Sequence, residues 1–301
     1  MIMKGDIIIM MSTYNGALYL HEQLQSIYSQ INVNWDLLVR DDGSKDETLS
    51  ILQNEQKKGR LTYYTGSNLG PANSFLDLLF SAPQHKYYAF SDQDDVWLDD
   101  KLYSAIQQIE KYDDVPALYF CQTQLVDKNL NRLENVTIHP YLTYGESLVY
   151  QFIGGCTMVF NDALRKILVS YHPDFLMMHD IWIYSIALAV DAKIVFDPEV
   201  HILYRQHGNN AVGQSKSSVF EWKNRIRRLI DNKHIRSRIA KELEKGFLQQ
   251  MSDENQKLTV WAANYRTDIQ SKCHLLFSSK LKCANTTTFI LSKLCIFLNL
   301  F

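Results

Sequence analysis

The chain has 301 residues, 46% of them hydrophobic and 21% charged, enough for one substantial core with a small appendage and too apolar for a disordered chain. A formal net charge of −2 argues against bulk attraction to nucleic acid, although the charge is unevenly spread. Five cysteines (Cys121, Cys156, Cys273, Cys283, Cys295) contain no CxxC spacing, so they predict neither a disulfide framework nor a zinc ribbon and fit a reducing compartment.

At the N-terminus, Lys4 and Asp6 flank a short apolar run, Ile7 to Met11, with no small-residue cleavage site behind it, which predicts a cytoplasmic protein. Extended to Ser12, this run has strand character and ends in the turn-forming cluster Thr13-Tyr14-Asn15-Gly16, and a helical pattern follows over Tyr19 to Gln30. Trp35 to Arg40 repeats the plan, running into Asp41-Asp42-Gly43-Ser44-Lys45-Asp46, where Ser44 or Asp46 can cap a helix reaching Lys57. A third strand, Leu61 to Thr65, precedes Gly66-Ser67-Asn68-Leu69-Gly70-Pro71 and a helix over Asn73 to Phe80. A fourth, Tyr87 to Phe90, delivers Ser91-Asp92-Gln93-Asp94-Asp95. Alternating strands and helices predict an α/β fold with a mostly parallel sheet, in which ligands bind beyond the carboxyl ends of the strands. Each polar cluster sits at such an end.

The next stretch predicts strands over Leu118 to Cys121, Thr157 to Phe160 and Ile194 to Phe196, with helices over Asp162 to Val169 and Asp180 to Val190. Residues 216–301 read as helical, with Gly246 as their one glycine, so a boundary is expected near 215: a catalytic domain over 1–215 and a basic, amphipathic extension over 216–301. Trp222 to Lys245 holds nine Lys or Arg against three acids. Trp222, Ile226, Leu229, Ile230, Ile235, Ile239, Leu243 and Phe247 recur opposite those charges. The pattern suits an anionic membrane surface or a helix docked on the core; nucleic acid fits less well, because aromatic and basic residues are not interleaved. The tail Phe289 to Phe301 carries only Lys293, which interrupts it short of the ~18 to 20 apolar residues of a spanning helix. That tail suits a bilayer interface or a homodimer contact.

Asp92, Asp94 and Asp95 crowd three carboxylates into four residues. Their repulsion favours a hard divalent cation, Mg²⁺ or Mn²⁺, and the plainer reading is a capped, solvated loop. A carboxylate of Asp41 or Asp42 suits the imide hydrogen of a uracil or thymine; an Asx turn is the structural reading. Asp180 reads either as a helix cap or as a general base, with His179 beside it. Gly154-Gly155 permits close backbone approach or marks a bend. In Tyr204-Arg205-Gln206-His207-Gly208-Asn209-Asn210, His207 suits a metal site and Arg205 a phosphate.

Together, Ser12 to Gly16, Asp41 to Asp46, Ser91-Asp92-Gln93-Asp94-Asp95-Val96-Trp97, His179-Asp180 and Tyr204 to Asn209 resemble, in order and spacing, the family 2 glycosyltransferases with the GT-A fold. The SDQDDVW form is similar to that of bacterial rhamnosyltransferases of cell-wall, capsule and O-antigen assembly, which implies dTDP-rhamnose as the leading donor. The resemblance implies that Thr13, Tyr14 and Asp42, with Asn15, Asp41 and Gln93 beside them, hold the nucleotide, and that Asn68-Leu69-Gly70 borders it. It further implies that Asp92 meets ribose or metal, Asp94 binds the cation, Asp180 is the base and His207 contacts metal or diphosphate. His179 stands where many members have a first acid, and Asp95 adds a carboxylate. The QxxRW element of processive synthases is absent, which implies addition of a single sugar to a glycan or polyprenol-linked acceptor. The rival expectations are a UDP-galactose, UDP-glucose or UDP-N-acetylglucosamine donor, a nucleotidyltransferase, which lacks here its basic glycine-rich loop, and a non-catalytic membrane-attached module.

Overall fold

Strand β1 (Ile7–Thr13) alternates between two cores. Ile8 and Met10 join one with Phe75, Trp182 and Leu243, while Ile7, Ile9 and Met11 join the other with Leu20, Leu24 and Leu52. A strand buried on both faces needs helices on both sides, and the chain supplies them. The computed structural model describes residues 5–134, 140–151, 153–206 and 233–301; His207, the boundary expected near 215 and the stretch from Trp222 to Asn232 lie outside the described residues.

β1 is followed by α1 (Ala17–Tyr28), β2 (Trp35–Asp41), α2 (Thr48–Lys57), β3 (Thr62–Thr65), α3 (Gly70–Ser81) and β4 (Tyr87–Ser91). Then come β5 (Val96–Trp97), α4 (Lys101–Ile109), β6 (Ala117–Val126), α5 (Tyr144–Val149), β7 (Val159–Asn161), α6 (Asp162–Leu168), α7 (His179–Ala189) and β8 (Lys193–Arg205). The sheet order is β3-β2-β1-β4-β7-β6-β8-β5. β1 to β4 are mutually parallel, β7 runs antiparallel between β4 and β6, and β6 and β8 are parallel. The carboxyl ends of β1, β2, β3, β4, β6 and β8 therefore share one edge, the edge at which such sheets bind ligands. The register confirms the convergence: Thr13 lies opposite Asp41, Asp41 opposite Thr65, and Met11 opposite Ser91.

Two elements escaped the sequence reading. β5 is two residues long and pairs antiparallel with Ile202 and Leu203 of β8, too short for a periodicity signal. α5 follows a capping box in which Thr143 and Glu146 satisfy each other's backbone N–H groups.

The C-terminal region is helical as expected: α8 (Ile235–Phe247), α9 (Asp253–Asn264), α10 (Ile269–Phe277) and α11 (Thr286–Phe297). Of the apolar stripe offered either to a membrane or to the core, Ile239, Leu243 and Phe247 are buried against α7, with the Phe247 and Trp182 rings 5.9 Å apart. On the same helix Arg236 donates to the Leu148 carbonyl, and the Arg238 guanidinium lies 3.5 Å from the Phe175 ring centre. The described part of the basic stretch is thus a helix docked on the protein, and the core runs without interruption from the sheet into residues 235–301. Among the described residues, no helix is long and apolar enough to cross a membrane.

Candidate active site

The loops after β1 and β2 are laced together by short polar side chains. Asp41, fully buried, accepts from the Thr13 hydroxyl at 3.1 Å, the Gly43 N–H at 3.1 Å, the Ser44 N–H at 2.8 Å and the Ser44 hydroxyl at 2.5 Å. Asn15 donates its N–H to Ser44 at 2.8 Å and accepts from Lys45 N–H at 2.8 Å, while Gly16 N–H reaches Thr48 at 2.9 Å and Ala17 N–H reaches Asp46 at 3.1 Å. Asp42 is paired with Arg40 and accepts from the N–H groups of Leu69 and Gly70, both at 2.9 Å, where a carboxylate offsets the positive end of α3. Gly70, at φ +75°, holds a backbone conformation that a side chain would strain. Asn68 accepts from the same Gly70 N–H at 3.1 Å, so Asn68-Leu69-Gly70 and Asp42 form one wall.

The Asx-turn reading therefore describes Asp41 as it stands, with four donors on a group that has about four acceptor positions. For Asp41 or Asp42 to meet a nucleobase, some of these donors have to be released. Tyr14 keeps its ring 45% exposed. Gln93 accepts from the Tyr14 N–H at 2.9 Å and donates to the Tyr14 carbonyl at 3.1 Å, joining the β1 loop to the acidic loop after β4.

The acidic loop is where charge concentrates. Single ligand atoms of Asp92, Asp95 and Cys156 lie within 4.8 Å of one another. Burial, then the carboxylates of Asp94 and Asp180, push Asp92 up to about 7. Burial, then Asp92 and Asp94, push Asp95 well above the usual carboxylate range, and its Oδ2 is buried without a hydrogen-bond partner. Burial, then Asp95 and Asp92, raise the Cys156 thiol, which lies beside those carboxylates as a neutral group. The same acids raise the phenol of Tyr204, after burial. Such an excess of negative charge fits a hard divalent cation held by carboxylate oxygens, and a protonated thiol does not compete for it. Behind the loop, burial lowers Lys101 to about 8; its ammonium lies 3.6 Å from the Trp97 ring centre and has no hydrogen-bond acceptor.

Asp180 stands in the first turn of α7, its Oδ1 accepting from Ile181 N–H at 2.7 Å, and its charge is felt at Asp92. His179 is packed among aromatic rings. Its ring stacks on Phe75 with centres 4.1 Å apart, both ring nitrogens lack partners, and burial lowers its pKa, so it is a neutral packing residue. A Cβ on Gly155 would come within 2.3 Å of His179 Nε2, which accounts for the glycine there.

Arg205, expected at a phosphate, is 1% exposed. Its N–H donates to Asp95 at 3.1 Å, and its guanidinium reaches the carbonyls of Asp94 and Lys128, each at 2.7 Å, and Glu22 at 2.5 Å. It braces the acidic loop, and the antiparallel pairing of β5 with Ile202 and Leu203 of β8 brings it there. The structure thus brings Asp92, Gln93, Asp94, Asp95, Asp180 and Arg205 together at one part of the carboxyl edge of the sheet, and Thr13, Tyr14, Asn15, Asp41, Asp42, Asn68 and Gly70 at the adjoining part of the same edge. Sequence reasoning missed Cys156 and Lys101. The Gly154-Gly155 bend preceding Cys156 was the available signal, whereas Lys101 looked like an ordinary charged residue in a helix.

A family model described as "Glycosyl transferase family 2" matches residues 8–168. The chain is 29% identical over 260 residues to a dTDP-rhamnosyl transferase, RfbG, of Shigella flexneri, covering 77% of this chain and 82% of that protein. It is 29% identical over 150 residues, 49% of this chain and 58% of the relative, to a putative teichuronic acid biosynthesis glycosyltransferase, TuaG, of Bacillus subtilis. Among solved structures, TarS 1–349 of S. aureus in complex with UDP-GlcNAc superposes with a TM-score of 0.62 at 17% identity, covering 99% of this chain and 82% of that one. A mannosyltransferase from Pyrobaculum calidifontis in complex with GDP-Man and Mn²⁺ gives 0.52 at 16% identity, covering 97% and 74%. These likenesses show the GT-A fold.

Proposed function

Because the chain belongs to glycosyl transferase family 2, we propose that it transfers a single rhamnose from dTDP-rhamnose to an acceptor hydroxyl in bacterial cell-surface polysaccharide synthesis, with inversion. The observation that carries this reading is the meeting of Asp92, Asp94 and Asp95 with Asp180 at the carboxyl edge of the sheet, where burial first, and then the charges of Asp94 and Asp180, push Asp92 up to about 7. The rhamnosyl donor is supported by the Shigella relative's name, and the polysaccharide setting by that of the Bacillus relative.

In this proposal the Tyr14 ring and the wall of Asn15 and Asn68 receive the nucleoside, and buried Thr13, Asp41 and Asp42 hold that wall in shape. Asp92 and Asp94 hold Mg²⁺ or Mn²⁺, which when bound supplies positive charge opposite the diphosphate. Asp180 accepts the proton of the acceptor hydroxyl as its oxygen attacks the anomeric carbon; the bond to the diphosphate oxygen breaks and the nucleoside diphosphate departs. The Ile181 N–H orients the carboxylate for that role. Arg205 and Gln93 keep the acidic loop in register with the nucleotide wall. The acceptor is a glycan or polyprenol-linked saccharide, and addition stops after one sugar.

A second donor class, UDP-sugars, is favoured by the TarS neighbour, whose complex holds UDP-GlcNAc. The test is incubation of the purified protein with dTDP-rhamnose, UDP-galactose, UDP-glucose and UDP-N-acetylglucosamine, with Mn²⁺ or with chelator, and mass-spectrometric detection of released nucleotide. Release from dTDP-rhamnose alone, lost with chelator, is expected. Turnover of a UDP-sugar instead overturns the donor, and undiminished turnover in chelator overturns the cation.

A further inference from the structure

Helices α10 and α11 adjoin and run in opposite directions. Lys272 of α10 donates to Asn299 just beyond α11 at 3.1 Å, and Lys293 of α11 donates to the Leu276 carbonyl near the end of α10 at 2.6 Å. Each docks by one face: Leu275 from α10, and Cys295 and Ile296 from α11, are buried in the main core. The opposite faces turn outward together. On α10, Ile269 and Phe277, eight residues apart with exposed Cys273 between, are 73% and 80% exposed. On α11, Ile290, Leu294, Phe297 and Leu298, at helical spacing, lie between 46% and 62%. Single exposed hydrophobics need no explanation, but six large ones across two neighbouring helices do.

Charge identifies what covers this face. From Arg266 to Phe301 the chain has five Lys or Arg and one acid, Asp268. Lys280 is paired with Glu254 and the Lys293 ammonium is held by backbone carbonyls, so the positive excess rests on Arg266, Lys272 and Lys282. Asp268 caps α10, accepting from the N–H groups of Gln270 and Ser271. A second copy of this face would bring like charge against like charge, whereas anionic headgroups complement it. The Lys272 ammonium lies 5.7 Å from the Phe297 ring centre, so a positive charge borders the exposed patch. In α8, the described part of the basic stretch, Ile239, Leu243 and Phe247 are buried in the protein and offer no apolar face to a bilayer.

We infer that the outward face of α10 and α11 is the surface by which this protein lies on an anionic bilayer, with Ile269, Phe277, Ile290, Leu294, Phe297 and Leu298 entering the acyl boundary. Helices of this kind sink about 5–10 Å below the headgroups and span nothing. The inference is independent of the donor and acceptor, because binding to vesicles requires neither.

Flotation of the full chain with vesicles of phosphatidylglycerol and phosphatidylcholine, and with phosphatidylcholine alone, tests it. Flotation with the anionic vesicles at low salt and weaker flotation with the neutral ones are expected. The F277S/F297S double variant should lose at least about tenfold in partitioning, equivalent to about 1.4 kcal/mol, because both rings forfeit part of their burial in the acyl boundary. Thermal denaturation establishes that the variant is folded, and Lys282→Glu, at an exposed loop position, provides a second variant that should weaken anionic binding alone. Wild-type protein left at the bottom of the gradient overturns the inference. So does flotation unaffected by both variants, or a sedimenting dimer that F277S/F297S dissolves in protein showing no vesicle binding.

Discussion

Gln93 holds the main chain of Tyr14 at two points, accepting its N–H at 2.9 Å and donating to its carbonyl at 3.1 Å. The hold requires the glycine two positions later: a Cβ on Gly16 would lie 2.0 Å from Gln93 Oε1. Because the obstruction is the end of a flexible side chain, Gly16→Ala should displace Gln93 and leave the core intact. Donor affinity should fall on the order of tenfold by calorimetry, while loss of about 1 kcal/mol moves Tm by roughly 2–4 °C. Unchanged donor binding would show that the two loops need no joint.

Asp180→Asn preserves shape and removes the proton acceptor. Turnover should drop by on the order of 10²- to 10⁴-fold while donor affinity stays close to wild type. A variant that turns over normally removes Asp180 from the mechanism.

Asp94→Ala and Cys156→Ser should separate ligand from neighbour. The first should abolish the dependence of donor binding on Mn²⁺, read by calorimetry with and without chelator. The second should retain it, because a protonated thiol lying beside Asp92 and Asp95 can be replaced by a hydroxyl. Loss of the cation response in Cys156→Ser alone would instead make the sulfur a ligand.

Arg205→Lys keeps the charge and loses the fork. One ammonium cannot reach the Asp94 and Lys128 carbonyls and the Glu22 carboxylate at once, so at least one of these partners loses its donor, at about 1–3 kcal/mol where that partner is a carbonyl. Chemical denaturation should show that loss, and the cation affinity should weaken with it. Full stability would mean that water replaces the guanidinium.

Glu55 supplies the pH test. Burial raises its pKa, but hydrogen bonds from Lys58, Tyr28 and Arg60 overcome that effect and hold it below the ordinary value. A depressed carboxylate stabilises the fold above its unfolded pKa, about 4.3, and the contribution disappears as pH falls through the folded value. Glu55→Gln should therefore be about 1–3 kcal/mol less stable than wild type near neutrality, with the gap closing below pH ~4. A gap that persists in acid would point to packing.

Much of this site could be read before the fold was known, because the strands of a parallel sheet announce themselves as apolar runs and their polar loops must gather at one edge. Asp92, Asp94 and Asp180 followed from that rule and the family motifs. What stayed hidden depended on partners far along the chain. Arg205 looks like a phosphate ligand until Asp94, Asp95 and Lys128 are seen around it, and the partner that makes His179 a packing residue, Phe75, lies about a hundred positions away. Antiparallel β7, three residues long, left too little sequence to reveal its direction. Cys156 carries no signature beyond two preceding glycines.

The contact between Trp182 and Phe247 gives the tail of the polypeptide a say in the chemistry. The proton acceptor proposed here rides at the tip of a rod whose flank is clasped by residues from far downstream, so mutational drift in the last quarter of the chain would be felt as altered turnover. Anyone grafting a new terminus onto this scaffold would have to keep the clasp, or retune the enzyme without touching its carboxylates.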